Sequence, residues 1–576
     1  AAMNILEPLY EACLQRMEEF VAVQPKKHKF FAQVLAKVKA AEHPNREYFI
    51  YKSIILNNLY GVDIMHEAVE IAKLRLFLKL VATVEPDYKK PNLGLEPLPD
   101  VDYNIRAGNT LIGYASEAEI DRAFAGQLDF DNDAGKLKER CEQVAMAFNR
   151  YKGFQLDGAG DYHEFHQAKA ELEERLAQLN QDLNLLLHKQ TTNIKYDNWL
   201  QSHQPFHWFA EFYEIIHDRG GFDVIIGNPP YVEYNQVKKQ YSIKNYSTES
   251  CGNLYAYVIE RSTLILRKQG YIGMIVQLPI VCTDRMIPLQ NHLKKHYSKN
   301  YFSTYDDRPG KLFDGLEHIR ATIFISKHEV LNSSTVFTTK YYRWQTEFRS
   351  YIFSDIKYVN SISVFTGSIP KIGHTIHENI INKIKSFNSA SNYISKNTKH
   401  VMYYHNAPQY WIRATNFIPY FWNERDGKKP SSQVRSLTFS QQQISMAMNS
   451  IYNSTLFYLW FIMLSDCRHL NAREIESFPI GIGKMENSLI NRLNDLNTEL
   501  MNNYIQNKDR KITFYKTTGK VEYDEFYPRF SKDIIDQIDS ILAKHYGFTP
   551  EELDFIINYD IKYRMGKELE WDEEEV

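Results

Sequence analysis

Metal and disulfide chemistry have little to work with in this sequence. Its 576 residues hold five cysteines, Cys13, Cys141, Cys251, Cys282 and Cys467, scattered and without a Cys-x-x-Cys pair. That spacing argues against a zinc site or a disulfide framework and fits a reducing cytoplasm, where the protein is expected. Long apolar runs are also missing. Tyr271 to Cys282, among the longest, falls far short of a membrane span, and no signal peptide is visible, so no membrane partner is expected. Repeats are absent. The formal net charge of −3 gives no general case for nucleic-acid binding.

What is present is a chain that is 44% hydrophobic and 24% charged, long enough for three or four domains with sizeable cores. Its charge is unevenly placed. Residues 231–500 carry 32 Lys/Arg against 20 Asp/Glu, whereas the rest carries 36 against 51. A basic second half suits a phosphate backbone, though a solvated surface would read the same way.

The basic half begins at the most informative stretch, Gly221-Phe222-Asp223-Val224-Ile225-Ile226-Gly227-Asn228-Pro229-Pro230-Tyr231. Phe222 to Ile226 predicts a buried strand that stops at Gly227. Two consecutive prolines, with fixed φ and no N–H, stiffen the turn that follows. Asn228 adds an amide, both donor and acceptor, and Tyr231 adds a flat ring. Rigid acceptors beside an aromatic face, at the carboxyl end of a strand, suit a planar amine, and open α/β sheets bind ligands at that edge. The stretch resembles motif IV of the S-adenosylmethionine-dependent DNA adenine-N6 methyltransferases, and the long single-chain layout is similar to the class gamma, fused type IIG restriction–modification kind.

Other stretches can be aligned on that resemblance. Residues 10–58 have a helical pattern, and Pro8 should kink or restart the helix before them. Leu59 to Ile64 reads as a strand ending in an acid, followed by an apolar helix over 68–81. A carboxylate there is the Rossmann-type device for ribose hydroxyls. Asp63, with Ile64, therefore looks like motif II, and Asn109 and Thr110, after Tyr103 to Gly108, look like motif III. The family often has Asp where Asn109 stands, and Asn can still accept from an adenine amino group through its oxygen. An N-cap Asp63 and a plain Gly-Asn turn are the structural alternatives. Motif I, the glycine-rich loop expected just upstream of Ala1, is not found, so the chain is read as a fragment whose first strand is missing or supplied by another polypeptide.

Downstream of Tyr231, Tyr234, Tyr241 and Tyr246 alternate with Lys238, Lys239 and Lys244, a mixture that can stack on bases and contact phosphate. Residues 253–268 predict a helix and 271–279 a strand, similar to motifs V and VI. Lys311 to Glu317, before a strand over 321–326, resembles motif VIII, whose aromatic ring would be Phe313, packing on an extruded base. Residues 331–500, rich in Ser, Asn, Tyr and Thr, resemble a target-recognition domain, with Arg468 and His469 as candidate DNA contacts. Thr549-Pro550-Glu551-Glu552 is a helix start, and 568–575 an acidic tail.

The expected fold is α/β, an incomplete Rossmann-like methyltransferase sheet lacking its first strand, with a helical insertion and an α+β target-recognition domain. Its parts are the truncated cofactor side (1–114), the insertion (115–219), the catalytic half (220–330), the recognition domain (331–500) and a helical C-terminal region (501–576). The resemblance implies S-adenosyl-L-methionine as cofactor, double-stranded DNA as partner, and methylation of adenine N6 in a flipped base within a restriction–modification or related defence system. Asn228, Pro229, Pro230 and Tyr231 would do the chemistry. An upstream or separate segment would carry motif I and a nuclease, since no nuclease pattern appears here. A non-catalytic DNA-recognition subunit, a protein-glutamine methyltransferase and a cytosine-N4 methyltransferase are the competing readings. The basic half opposes the second, and Asn rather than Ser at 228 opposes the third.

Overall fold

A computed structural model of the chain describes residues 2–39, 43, 45–89, 93, 98–124, 133–157, 162–190, 194–315, 318–331, 333–354, 356–396 and 398–565. The acidic tail and residues 316–317 lie outside them. The chain divides into two compact units, Ala1–Ile225 with Val232–Gly270, and Ile226–Tyr231 with Tyr271–Val576. Among the described residues no helix is long and apolar enough to cross a membrane, and no group of three His, Cys, Asp or Glu could hold a metal ion.

The first unit opens with α1 (Ala2–Val23), α2 (Lys29–Val38) and α3 (Arg46–Asn58), packed around Tyr48, Ile50, Ile54 and Ile55. The expected kink at Pro8 does not interrupt α1. Pro8 lies in the second turn, so its missing N–H removes a single ladder bond. Next come β1 (Gly61–Asp63), α4 (His66–Val81) and β2 (Ile105–Ala107). The two strands pair in parallel, with Asp63 opposite Ala107. After α5 (Glu117–Phe124), the long helices α6 (Asp133–Asp157) and α7 (Tyr162–His188) share a core of Leu, Val and Ala side chains. Helix α6 runs through Gly153 and ends at Asp157, and residues 158–161 lie outside the described set. The unit also holds α8 (Tyr196–His203), α9 (Trp208–Glu211), the first residues of β3 (Phe222–Gly227), α10 (Tyr234–Val237) and α11 (Leu254–Ile265). Gly221, at φ +122°, starts β3, and a Cβ there would sit 2.6 Å from the Ile265 carbonyl oxygen.

The second unit is built on a mixed sheet in the order β3-β4-β6-β5-β7-β8. Its further strands are β4 (Leu266–Gln277), β5 (Tyr297–Tyr305), β6 (Ala321–His328), β7 (Thr335–Tyr342) and β8 (Val359–Asn360), with α12 (Ile287–His296) ahead of β5. Strand β6 runs antiparallel to β4 and β5, and β7 parallel to β5. Strand β3 ends the sheet with one edge unpaired. It is not the buried strand expected from its composition: Val224 is 60% and Ile226 69% exposed. An unpaired edge exposes backbone groups, whereas Val224 and Ile226, two residues apart, stand on one face of the strand, and the described residues leave that face largely uncovered.

Residues beyond 360 form α13 (Thr375–Ile384), β9 (His400–His405), β10 (Ala414–Thr415), β11 (Phe421–Asn423), β12 (Gly427–Lys428), β13 (Val434–Phe439), α14 (Gln442–Tyr452) and α15 (Thr455–Leu464). Every residue of α15 is buried, and Asp539 caps its start by accepting from the Thr455 and Leu456 amides at 3.0 Å each. The region after 500 is not wholly helical. Between α16 (Ala472–Glu476) with α17 (Asn487–Gln506) and the final helices lies a hairpin of β14 (Asp509–Tyr515) and β15 (Gly519–Glu525). In β15 the charged Lys520, Glu522 and Asp524 alternate with Val521 and Tyr523, a period of two that suits a strand and not a helix. Then follow α18 (Lys532–Tyr546), α19 (Pro550–Ile557) and α20 (Ile561–Met565), with Thr549 and Glu552 forming the expected capping box.

Candidate active site

In the proline turn the Tyr231 hydroxyl reaches back to Asn228. Tyr231 is half-buried, and its hydroxyl lies 3.1 Å from Asn228 Oδ1 and 3.2 Å from the Ile275 carbonyl on β4, a donor to either acceptor. Burial pushes its pKa up to about 12, so the hydroxyl stays protonated and able to donate. Asn228 is exposed, with its oxygen oriented by that contact; Pro229 is buried beneath it and Pro230 is exposed. Tyr231 and Phe313 pack against the same small core of Tyr305, Leu312, Ala321 and Trp344. Residues 82 apart in sequence, taken from motifs IV and VIII of the expected pattern, thus come together. The Lys311–Gly315 segment that carries Phe313 is a turn.

The expected cofactor residues also come together, in the first unit. Asp63 and Asn109 follow the adjacent carboxyl ends of β1 and β2, where the Gly108 amide donates to the Asp63 carbonyl at 2.9 Å. Asp63 is exposed, and one carboxylate oxygen accepts from the Met65 amide at 2.8 Å, leaving the rest of the group open. Asn109 is buried; its Oδ1 accepts from the Leu111 amide at 3.1 Å, and its Nδ2 has no partner. A buried amide without a partner is costly in isolation, and a ligand acceptor would satisfy it. The free group is therefore a donor, whereas the sequence suggested the oxygen. Ile64 is exposed, and Thr110 Oγ1 accepts from the indole Nε1 of half-buried Trp208 at 3.1 Å.

Arg261 is a residue the sequence did not single out. From α11 it donates to Glu119 (2.8 Å), the Tyr246 hydroxyl (2.8 Å) and the Leu111 carbonyl (3.2 Å). It fixes the 109–115 loop from more than 140 residues away, a distance at which no local pattern carries a signal. Gly113, at φ +131°, lets the same loop lie against the Phe206 backbone, where a Cβ would overlap the carbonyl. Tyr246 and Tyr241 are buried and Tyr234 is half-buried, all in the core with Leu111 and Tyr257. The expected base-stacking role for these tyrosines is thereby corrected: their rings supply packing area, while Lys238, Lys239 and Lys244 are exposed on that loop.

Arg468 and His469 sit in a turn held by Asp466, whose Oδ1 accepts from both of their amides, at 2.8 Å and 2.7 Å. His469 is exposed with Nδ1 3.2 Å from Asp466 Oδ2. Arg468 reaches the His318 carbonyl, with Nη1 at 2.8 Å.

Residues 57–312 match the Eco57I restriction-modification methylase family, so the resemblance lies in the segment that holds Asp63, Asn109 and Asn228–Tyr231. A protein of Methanocaldococcus jannaschii, provisionally named a type II restriction enzyme and methyltransferase, is 29% identical over 273 residues, covering 39% of this chain and 22% of the relative. The type II restriction enzyme and methyltransferase RM.Eco57I of Escherichia coli is 24% identical over 232 residues, covering 36% of this chain and 23% of that one. The matches span less than a quarter of either relative's length. Among solved structures, the type IIL restriction-modification enzyme MmeI in complex with DNA is 10% identical with a TM-score of 0.33, over 97% of this chain and 98% of that one, a likeness too loose to define the fold.

Proposed function

We propose that this chain is the methyltransferase and DNA-recognition portion of a restriction–modification enzyme, acting on adenine N6 in double-stranded DNA. The observation that carries the reading is the Asn228–Tyr231 turn, its oxygen oriented by the Tyr231 hydroxyl and its ring sharing a core with Phe313. The curated relatives support it, as does the basic composition of residues 231–500.

The amino group of adenine is a poor nucleophile because its lone pair is delocalised into the ring. Asn228 Oδ1 and the Pro229 carbonyl would accept its two hydrogens and localise that pair. Tyr231 and Phe313 would hold the faces of the base once it has left the helix, at a cost of a few kcal/mol. Orientation then supplies most of the catalysis. Asp63 and Asn109 are the residues that would hold S-adenosyl-L-methionine: an open carboxylate suits a ribose diol, and the unpartnered Asn109 Nδ2 suits a ring nitrogen of its adenine. When bound, that cofactor supplies an activated methyl group. The open edge of β3, with Val224 and Ile226 exposed, supports pairing with one further strand from an upstream segment or a separate polypeptide, which would bring the glycine-rich turn.

The test is methyl transfer from radiolabelled S-adenosylmethionine to unmethylated DNA, by this chain with and without its upstream segment, beside Asn228→Ala. The expected product is N6-methyladenine, formed with the segment present and lost in the variant. Tight, salt-sensitive DNA binding without transfer by the complete protein would instead favour a non-catalytic recognition subunit.

A further inference from the structure

We propose that Arg468 is a positioning residue: it latches the loop that carries Phe313 and so sets the aromatic surface beside Tyr231. The inference rests on the base-binding reading of that surface. Its warrant is how the Arg468 side chain is built in and what it holds.

The donor end is rigidly seated. Arg468 follows α15, every residue of which is buried. The turn after the helix is fixed from below, where buried Lys371 donates to the Ser465 carbonyl at 2.7 Å, and from within, where Asp466 accepts from the Arg468 and His469 amides. Cys467 at φ +57° completes a tight bend that points the next residue outward. One long-range contact, through Lys371, and one local contact, through Asp466, thus fix the backbone from which the Arg468 side chain extends.

The acceptor end is a loop that needs holding. Among the described residues of 308–320, which join β5 to β6, none forms a ladder bond, and His318 sits at φ +55°, an uncommon conformation for a non-glycine residue. Arg468 Nη1 captures the His318 carbonyl, and Arg349 Nη1 pairs with Asp314 at 2.8 Å. Asp314 is 92% exposed at its side chain, so that second tie is weak. On the far side of Phe313 the loop is tied by the charged donor from residue 468 and, two residues further on, by Arg320, which pairs with the buried Asp306 and Asp307. Arg468 lies in the segment expected to read DNA sequence, so a latch here would couple recognition to the base site without Arg468 touching a base.

The experiment compares Arg468→Ala and Arg468→Lys in the parent protein. Amide hydrogen exchange of the 309–315 segment and steady-state methylation are read on each, with 2-aminopurine at the target position reporting base unstacking. A lost charged hydrogen bond corresponds to about 10-fold or more. Arg468→Ala should raise exchange in 309–315 by about that factor while the rest of the chain is unchanged. It should lower kcat about 10-fold with KM for DNA within about 2-fold, and reduce the 2-aminopurine signal. Arg468→Lys should recover part of each effect. Unchanged exchange at 309–315, exchange that rises evenly across the chain, or a loss confined to KM would each overturn the proposal, the last marking Arg468 as an ordinary phosphate contact. A localised rise supports the latch whether or not the wild type transfers methyl; absence of transfer by the wild type counts against the reading of the site alone.

Discussion

Replacing Arg261 by methionine tests whether the cofactor-side loop is held by one buried cation. The guanidinium is 7% exposed at its side chain, its partner Glu119 18%. Removing one member of a buried pair typically costs about 3–5 kcal/mol, because the other charge is stranded out of water. Glu119 keeps some solvent access and still accepts from the Ala115 amide at 2.7 Å, which places the expected loss near the lower end, about 3 kcal/mol. That is roughly a 150-fold fall in the folded-to-unfolded ratio. The change also leaves the Leu111 carbonyl with the Tyr246 hydroxyl as its remaining side-chain donor, at 2.8 Å. Urea denaturation of Arg261→Met, Glu119→Leu and the double variant gives the coupling directly. The double variant should be more stable than Arg261→Met, since the stranded carboxylate is gone. Cofactor affinity should fall in Arg261→Met as the 109–115 loop loosens around Asn109. A loss below about 1 kcal/mol, or a double variant no better than the single, would refute the argument that charge burial dominates here.

Two other predictions are independent of that one. Tyr231→Phe keeps the ring packing but removes the donor to Asn228 Oδ1 and Ile275, so methyl transfer should fall about 10-fold with little change in Tm; wild-type turnover would show that the oxygen needs no orienting partner. His207 is buried, its Nδ1 accepting from the Tyr114 amide at 3.1 Å, and burial pulls its pKa from the ordinary 6.5 down to about 3. The unfolded chain then takes up a proton below 6.5 that the folded chain refuses. Stability from this group is complete above pH 6.5 and is lost as pH falls toward 3, by about 2 kcal/mol at pH 5. Urea midpoints at pH 7 and pH 5 should show this loss, and His207→Gln should flatten it.

The sequence by itself determined the local pieces and their order. Asp63 after an apolar strand, Asn109 after a second one, the Gly227 stop before two prolines, and the Thr549 cap are all set by periodicity and by residues with restricted backbone or capping chemistry, which act within a few positions. Only the tertiary structure decided what those pieces face. The composition of β3 says burial, yet Val224 and Ile226 are exposed, because burial depends on what packs against a strand's face and not on the strand itself. Tyrosines alternating with lysines look like a nucleic-acid surface, yet Tyr241 and Tyr246 turn inward, because rings are buried wherever a core offers them room. The Arg261 and Arg468 contacts join residues about 140 to 150 positions apart. A single guanidinium carries no sequence pattern that names so distant a partner; the fold chooses it by bringing a carboxylate or a bare carbonyl within reach.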